Sequence, residues 1–111
     1  MSELLRPMLY GAVHEMENLS ASRATVRLDI AGAACESGDI LGRDVEIAEP
    51  EIGDVIAIKS AGAYGSSMAS NYLTRPRPAE VLLENDTWLV LRRRETVQDI
   101  LQAELHLHAG F

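Results

Sequence analysis

Between Arg23 and Ile30 the chain alternates, with Ala24, Val26, Leu28 and Ile30 on one side and Arg23, Thr25, Arg27 and Asp29 on the other. A period of two is the period of a β-strand, whose successive side chains leave opposite faces. The run predicts a half-buried strand, one face on a core and the other in water. Val55–Lys59 is a continuous apolar run and predicts a strand buried on both faces. Ala79–Leu83 and Thr87–Leu91 predict a hairpin, joined by the polar turn Glu84-Asn85-Asp86. Pro76 and Pro78 exclude helix around Arg77. Only after Thr96 does the spacing become helical. Val97, Ile100, Leu101 and Leu105 fall on one face, and Thr96 with Asp99 makes a capping box, so a helix is predicted from about Val97 to Leu105. At least four strands and one late helix predict a mainly β domain, an antiparallel sheet or a barrel-like closure of one.

With 111 residues the chain is long enough for one domain and too short for two. Apolar residues make up 47% but aromatic ones only 5%, so the predicted core is aliphatic. The net charge of −7 argues against a nucleic-acid partner, since phosphate binding needs a basic face. Arg75, Arg77, Arg92, Arg93 and Arg94 are gathered in the last third, where they read as a solvated strand edge and helix lead-in. Cys35 is the one cysteine, so no internal disulfide forms and a cytoplasmic setting is the expectation. Met1–Pro7 does not read as a signal peptide, and no segment approaches the roughly 20 apolar residues of a membrane helix.

Two stretches rich in small residues interrupt the strand patterns. Ala31–Asp39 and Ala61–Gly65 both predict loops in which backbone approaches something closely. Each carries residues able to do chemistry. Cys35 and Glu36 put a thiol, a possible proton donor, beside a carboxylate that can bind a cation. Tyr64, held among Gly and Ala, can project a hydroxyl into a cleft. Near the start, Arg6 and Tyr10 flank Pro7; an Arg grips a carboxylate through two parallel hydrogen bonds and a Tyr hydroxyl adds a third. Taken singly, each has a plainer reading: a surface Arg, packing tyrosines, a small buried Cys followed by a surface acid. His14, His106 and His108 have no metal-ligand spacing around them, and no phosphate-cradling GxxxxGK[ST] run occurs.

The joint pattern is more telling. Arg6-Pro7-Met8-Leu9-Tyr10-Gly11-Ala12-Val13-His14, Cys35-Glu36-Ser37-Gly38-Asp39, Ala61-Gly62-Ala63-Tyr64-Gly65-Ser66-Ser67-Met68-Ala69-Ser70-Asn71-Tyr72 and Arg75-Pro76-Arg77-Pro78-Ala79-Glu80-Val81 follow in order. Together they resemble the C-terminal portion of the diaminopimelate decarboxylases, a branch of the fold-type-III, pyridoxal-phosphate-dependent basic amino-acid decarboxylases. Arg92-Arg93-Arg94-Glu95-Thr96 resembles the family's last segment. The likeness runs from about Leu5 to Leu101. Its Glu36-Ser37-Gly38-Asp39 loop favours diaminopimelate over ornithine or arginine as substrate. Leu73 departs from the family, which usually has Asn there, and Val13 replaces a common aromatic.

The resemblance implies a single C-terminal β-domain over residues 1–111, of antiparallel, barrel-like Greek-key type with one C-terminal helix, separated from the (β/α)8 barrel that binds pyridoxal phosphate. It implies that Arg6 and Tyr10 bind substrate carboxylate, that Glu36 pairs with the distal ammonium, and that Tyr64 contacts substrate and cofactor. Cys35 would be the catalytic proton donor after carbon dioxide leaves meso-diaminopimelate to give L-lysine. The partners it implies are the barrel domain and a second subunit, in a homodimer with a shared active site. Lys59, the one lysine, sits in a strand pattern and not in a Schiff-base motif. Without that anchor the isolated chain is expected to be inactive. A non-catalytic dimerising or regulatory module that keeps the same fold is the alternative reading.

Overall fold

The computed structural model describes residues 1–20 and 22–105; the tail that holds His106 and His108 lies outside the described residues. The chain divides into two compact units, Met1 with Glu3–Met68 and Ser2 with the residues from Ala69 onward.

The first unit is built on two antiparallel strand pairs. Strand β1 (Met16–Asn18) pairs with β4 (Ile56–Ile58), and β2 (Thr25–Ala31) pairs with β3 (Ile40–Ala48). In β2, Val26, Leu28 and Ile30 are half-buried while Thr25, Arg27, Asp29 and Ala31 are exposed, as the alternation predicts. The water face is laced with charge. Arg27 meets Asp44 at 2.6 Å, Arg43 meets Asp29 at 3.2 Å, and the Asp44 amide donates to Asp29 at 2.8 Å. That last bond satisfies an amide where the pairing shifts register, between Leu28 and Ile30, and where Asp44 takes φ +50°. On the other face Leu4, Met16 and Ile47 are buried. Gly42 lets Met16 and Val45 come close to the strand, because a Cβ there would lie 2.7 Å from Val45 Cγ2 and 2.9 Å from Met16 Cε.

A polar knot fixes the ends of these strands. The buried Asn18 donates to Asp54 at 2.9 Å and accepts from the Ser20 amide at 2.9 Å. Asp54 also accepts from Arg23 at 2.7 Å and from the Glu51 amide at 2.9 Å. The Arg23 and Asn18 donors hold its carboxyl well below the usual carboxylate range. The Val55–Lys59 segment is half-buried rather than buried on both faces: Val55 is 58% exposed, and Ile56, Ala57 and Ile58 are intermediate.

Two helices frame the first unit. Helix α1 (Arg6–Tyr10) has Pro7 in its first turn and stops at Gly11, whose φ of +65° lets its amide bond back into the helix. Helix α2 (Gly62–Gly65) occupies a stretch expected to be a close-approach loop. A Cβ on Gly62 would meet nothing within 4 Å, so glycine there serves no tight contact.

The second unit holds the predicted hairpin, β5 (Glu80–Glu84) with β6 (Thr87–Arg92). Asn85 and Asp86 turn it with φ of +48° and +59°, the left-handed pair that a two-residue turn requires. Helix α3 (Val97–Leu105) follows the capping box, with the Thr96 amide donating to Asp99 at 2.7 Å and the Asp99 amide to Thr96 Oγ1 at 3.2 Å. Glu95 fastens the preceding loop. It accepts from Arg77 Nε at 2.8 Å, the Arg77 amide at 2.8 Å and Asn71 at 2.7 Å, and these donors bring its carboxyl down to about 2. The described residues are thus mainly antiparallel β, in three two-stranded sheets with no closed barrel.

Candidate functional site

All five side chains singled out by sequence lie in the first unit. Arg6 and Tyr10 stand at the two ends of α1, four residues apart and so on one helix face. Tyr64 comes from α2, and the Arg6 guanidinium carbon sits 4.8 Å from its ring centroid. That is a cation–π contact, and it holds the guanidinium without using up its donor fork. Arg23, Arg27, Arg43, Arg77, Arg92 and Arg93 each have a carboxylate partner. Among the described residues Arg6 has none. A guanidinium in that state can take an incoming carboxylate through two parallel N–H bonds.

Cys35 and Glu36 sit on the loop between β2 and β3, and both are exposed. The loop is drawn shut at its base by the Gly32 amide, which donates to the Asp39 carbonyl at 2.7 Å. Asp39 itself is 4% exposed. The Glu36 carboxylate lies along Gly38, and so does Met8 of α1: a Cβ on Gly38 would be 3.3 Å from Glu36 Oε1 and 3.4 Å from Met8 Cε. Sequence order had flagged Asp39 only as part of a motif. Its burial has no periodic signal, and the one hint is a glycine seven positions before it.

The site is open. Tyr10 is 66% and Tyr64 52% exposed. A pocket of about 310 Å³ lies beside α1, lined by Met8, His14, Ile40 and Val45 among others, but none of the five residues lines it. Charge stabilisation in catalysis depends on excluding water, and this surface does not exclude it. Lys59 is equally informative. Its ammonium lies 2.7 Å from Glu15 and 2.8 Å from Glu17, which raise its pKa above the ordinary lysine range. A Schiff-base lysine needs the reverse, a free amine near neutral pH. Lys59, so paired, does not fit the part of covalent anchor for pyridoxal phosphate.

Comparison with known proteins bears on the chain as a whole. Residues 1–62 match the family described as "Pyridoxal-dependent decarboxylase, C-terminal sheet domain". The diaminopimelate decarboxylase of Deinococcus radiodurans is 54% identical over 105 residues, 95% of this chain and 28% of that protein. That of Neisseria meningitidis serogroup B is 48% identical over 106 residues, 95% of this chain and 25% of that protein. The crystal structure of diaminopimelate decarboxylase from Helicobacter pylori complexed with L-lysine superposes with a TM-score of 0.88 at 42% identity, covering 96% of this chain and 26% of that one. The chain spans about a quarter of the length of the relatives it matches. On these grounds the chain belongs to the pyridoxal-dependent decarboxylase family, within its C-terminal sheet domain.

Proposed function

We propose that this chain supplies the substrate-binding and proton-donating side of a diaminopimelate decarboxylase. One observation carries the reading: Arg6, without a carboxylate partner among the described residues, is braced on Tyr64 with Tyr10 on its helix face. An amino acid with two carboxylates and two ammonium groups fits such a surface. Arg6 and Tyr10 take one carboxylate, and Glu36 takes the distal ammonium. Cys35 gives its thiol proton to the carbon that has lost carbon dioxide and regains a proton from solvent. Pyridoxal phosphate, when bound, supplies the electron sink that makes the carbon–carbon cleavage feasible. Tyr64 contacts it, and its Schiff-base lysine belongs to a (β/α)8 barrel outside these residues. The barrel and a second subunit cover the open surface, and with them the separate sheets join into a barrel-like Greek-key domain. The setting is cytoplasmic.

The test is carbon dioxide release from meso-diaminopimelate. The isolated chain with added pyridoxal phosphate should give only the free-cofactor background. The same chain grafted in place of the matching quarter of a curated relative should restore turnover. A grafted enzyme that folds and holds cofactor yet stays inactive would refute the reading.

A further inference from the structure

Asp39 closes the loop that presents Cys35 and Glu36, through its side chain and its main chain at once. Its Oδ2 accepts from the Ala34 amide at 2.9 Å. Its carbonyl accepts from the Gly32 amide at 2.7 Å, and its own amide donates to the Glu36 carbonyl at 3.0 Å. At 4% exposure the side chain is as buried as Ile47, and a buried carboxylate persists only where donors replace water. Gly32 provides the space. A Cβ on Gly32 would lie 2.1 Å from Asp39 Oδ2 and 2.3 Å from Oδ1, so carboxylate and side chain cannot both be there. The backbone is thus tied on both sides of Cys35, while Cys35 and Glu36 themselves are exposed.

We propose that Asp39 is a positioning residue: seated in the space left by Gly32, it fixes the loop so that the Cys35 thiol and the Glu36 carboxylate are presented in one arrangement. The geometry stands by itself, and its catalytic consequence rests on the decarboxylase reading. A proton donor displaced by about 1 Å costs roughly 100-fold in rate, so a loop free to move would lose catalysis with no reacting group removed.

The experiment has two arms. In the 111-residue chain, amide hydrogen exchange is followed by NMR for Asp39→Ala, Asp39→Asn and Gly32→Ala. The Ala34 amide should exchange roughly tenfold faster in Asp39→Ala, as loss of one hydrogen bond implies. Gly32→Ala should reproduce this, and the double variant should exchange no faster than either single one. Asp39→Asn, which keeps an acceptor oxygen, should stay near the parent. Exchange of the β2–β3 ladder amides should not change. In the intact enzyme, Asp39→Ala should lower kcat, but should lower it no further once Cys35 is already Ala, because it acts through that residue. Unchanged Ala34 exchange, or kcat losses that multiply in the double variant, would overturn the proposal. If Asp39→Ala loosens the ladder as well, Asp39→Asn decides: exchange as fast as in the Ala variant overturns it. If the loop amides respond while the parent enzyme shows no meso-diaminopimelate turnover, the clamp stands and the decarboxylase reading falls.

Discussion

Leu73 takes φ +59° and ψ +31°, in the left-handed region, inside a 3-10 turn at Tyr72–Thr74. For an L-residue with a branched side chain that conformation costs about 1–2 kcal/mol, and Asn bears it with less strain. The position is the one where the chain departs from the Asn usual in the resembled family. Leu73→Asn is therefore expected to raise the unfolding free energy by about 1 kcal/mol, read from the urea midpoint at unchanged slope; a lower midpoint would contradict the strain argument. The departure was legible in the sequence, but its backbone cause was not. The same holds for Lys59, whose partner Glu15 is 44 positions away and leaves no local signal. Arg6, Tyr10, Cys35, Glu36 and Tyr64 were legible as a set of motifs. The contact between Arg6 and Tyr64 was not, since it depends on α1 and α2 meeting in space.

Strand β2 was legible because its alternation is unbroken. Strand β3, the longest at nine residues, was missed for a physical reason. Two register shifts face it, each inserting an extra residue, the first beside Asp44 at φ +50°. Ile40 and Gly42 then share a phase that Val45 and Ile47 do not, and a one-residue bulge inverts the pattern read along the chain. Helix α1 was missed because a single turn shows no apolar period, although Pro7 and Gly11 mark its ends. The capping box and the hairpin turn are local chemistry and were read correctly. The bulge has a packing counterpart in Gly42, which Val45 and Met16 overlie. Gly42→Ala should destabilise the β2–β3 pair by about 1–3 kcal/mol through overpacking, measured by thermal or urea unfolding. A variant as stable as the parent would show that Met16 can swing away freely.

Apolar residues are 47% of the chain, yet Leu4, Met16 and Ile47 are the apolar side chains buried among the described residues. The expected aliphatic core is present only in miniature. In the hairpin Leu83 is 75%, Trp88 69% and Leu89 59% exposed, and each of its two strands has a free edge. Exposed edges offer N–H and C=O groups to another chain, and covering apolar surface yields about 25 cal/mol per Å². The charge of −7 opposes association, but exposed charges are screened beyond about 8 Å at physiological salt. The isolated chain should form dimers or larger species in sedimentation velocity at micromolar concentration; a monomer at both low and physiological salt would contradict this. On the proposed function, a barrel domain and a second subunit cover such a surface and close Cys35 and Glu36 off from water. On that proposal Cys35 donates the proton in an active site completed by the barrel and the second subunit. Its most direct measurement is kcat of Cys35→Ala in the intact enzyme, with cofactor absorbance recorded alongside. A fall of roughly 10²–10⁴-fold with the absorbance retained is expected, whereas a near-normal kcat would contradict the proton-donor role.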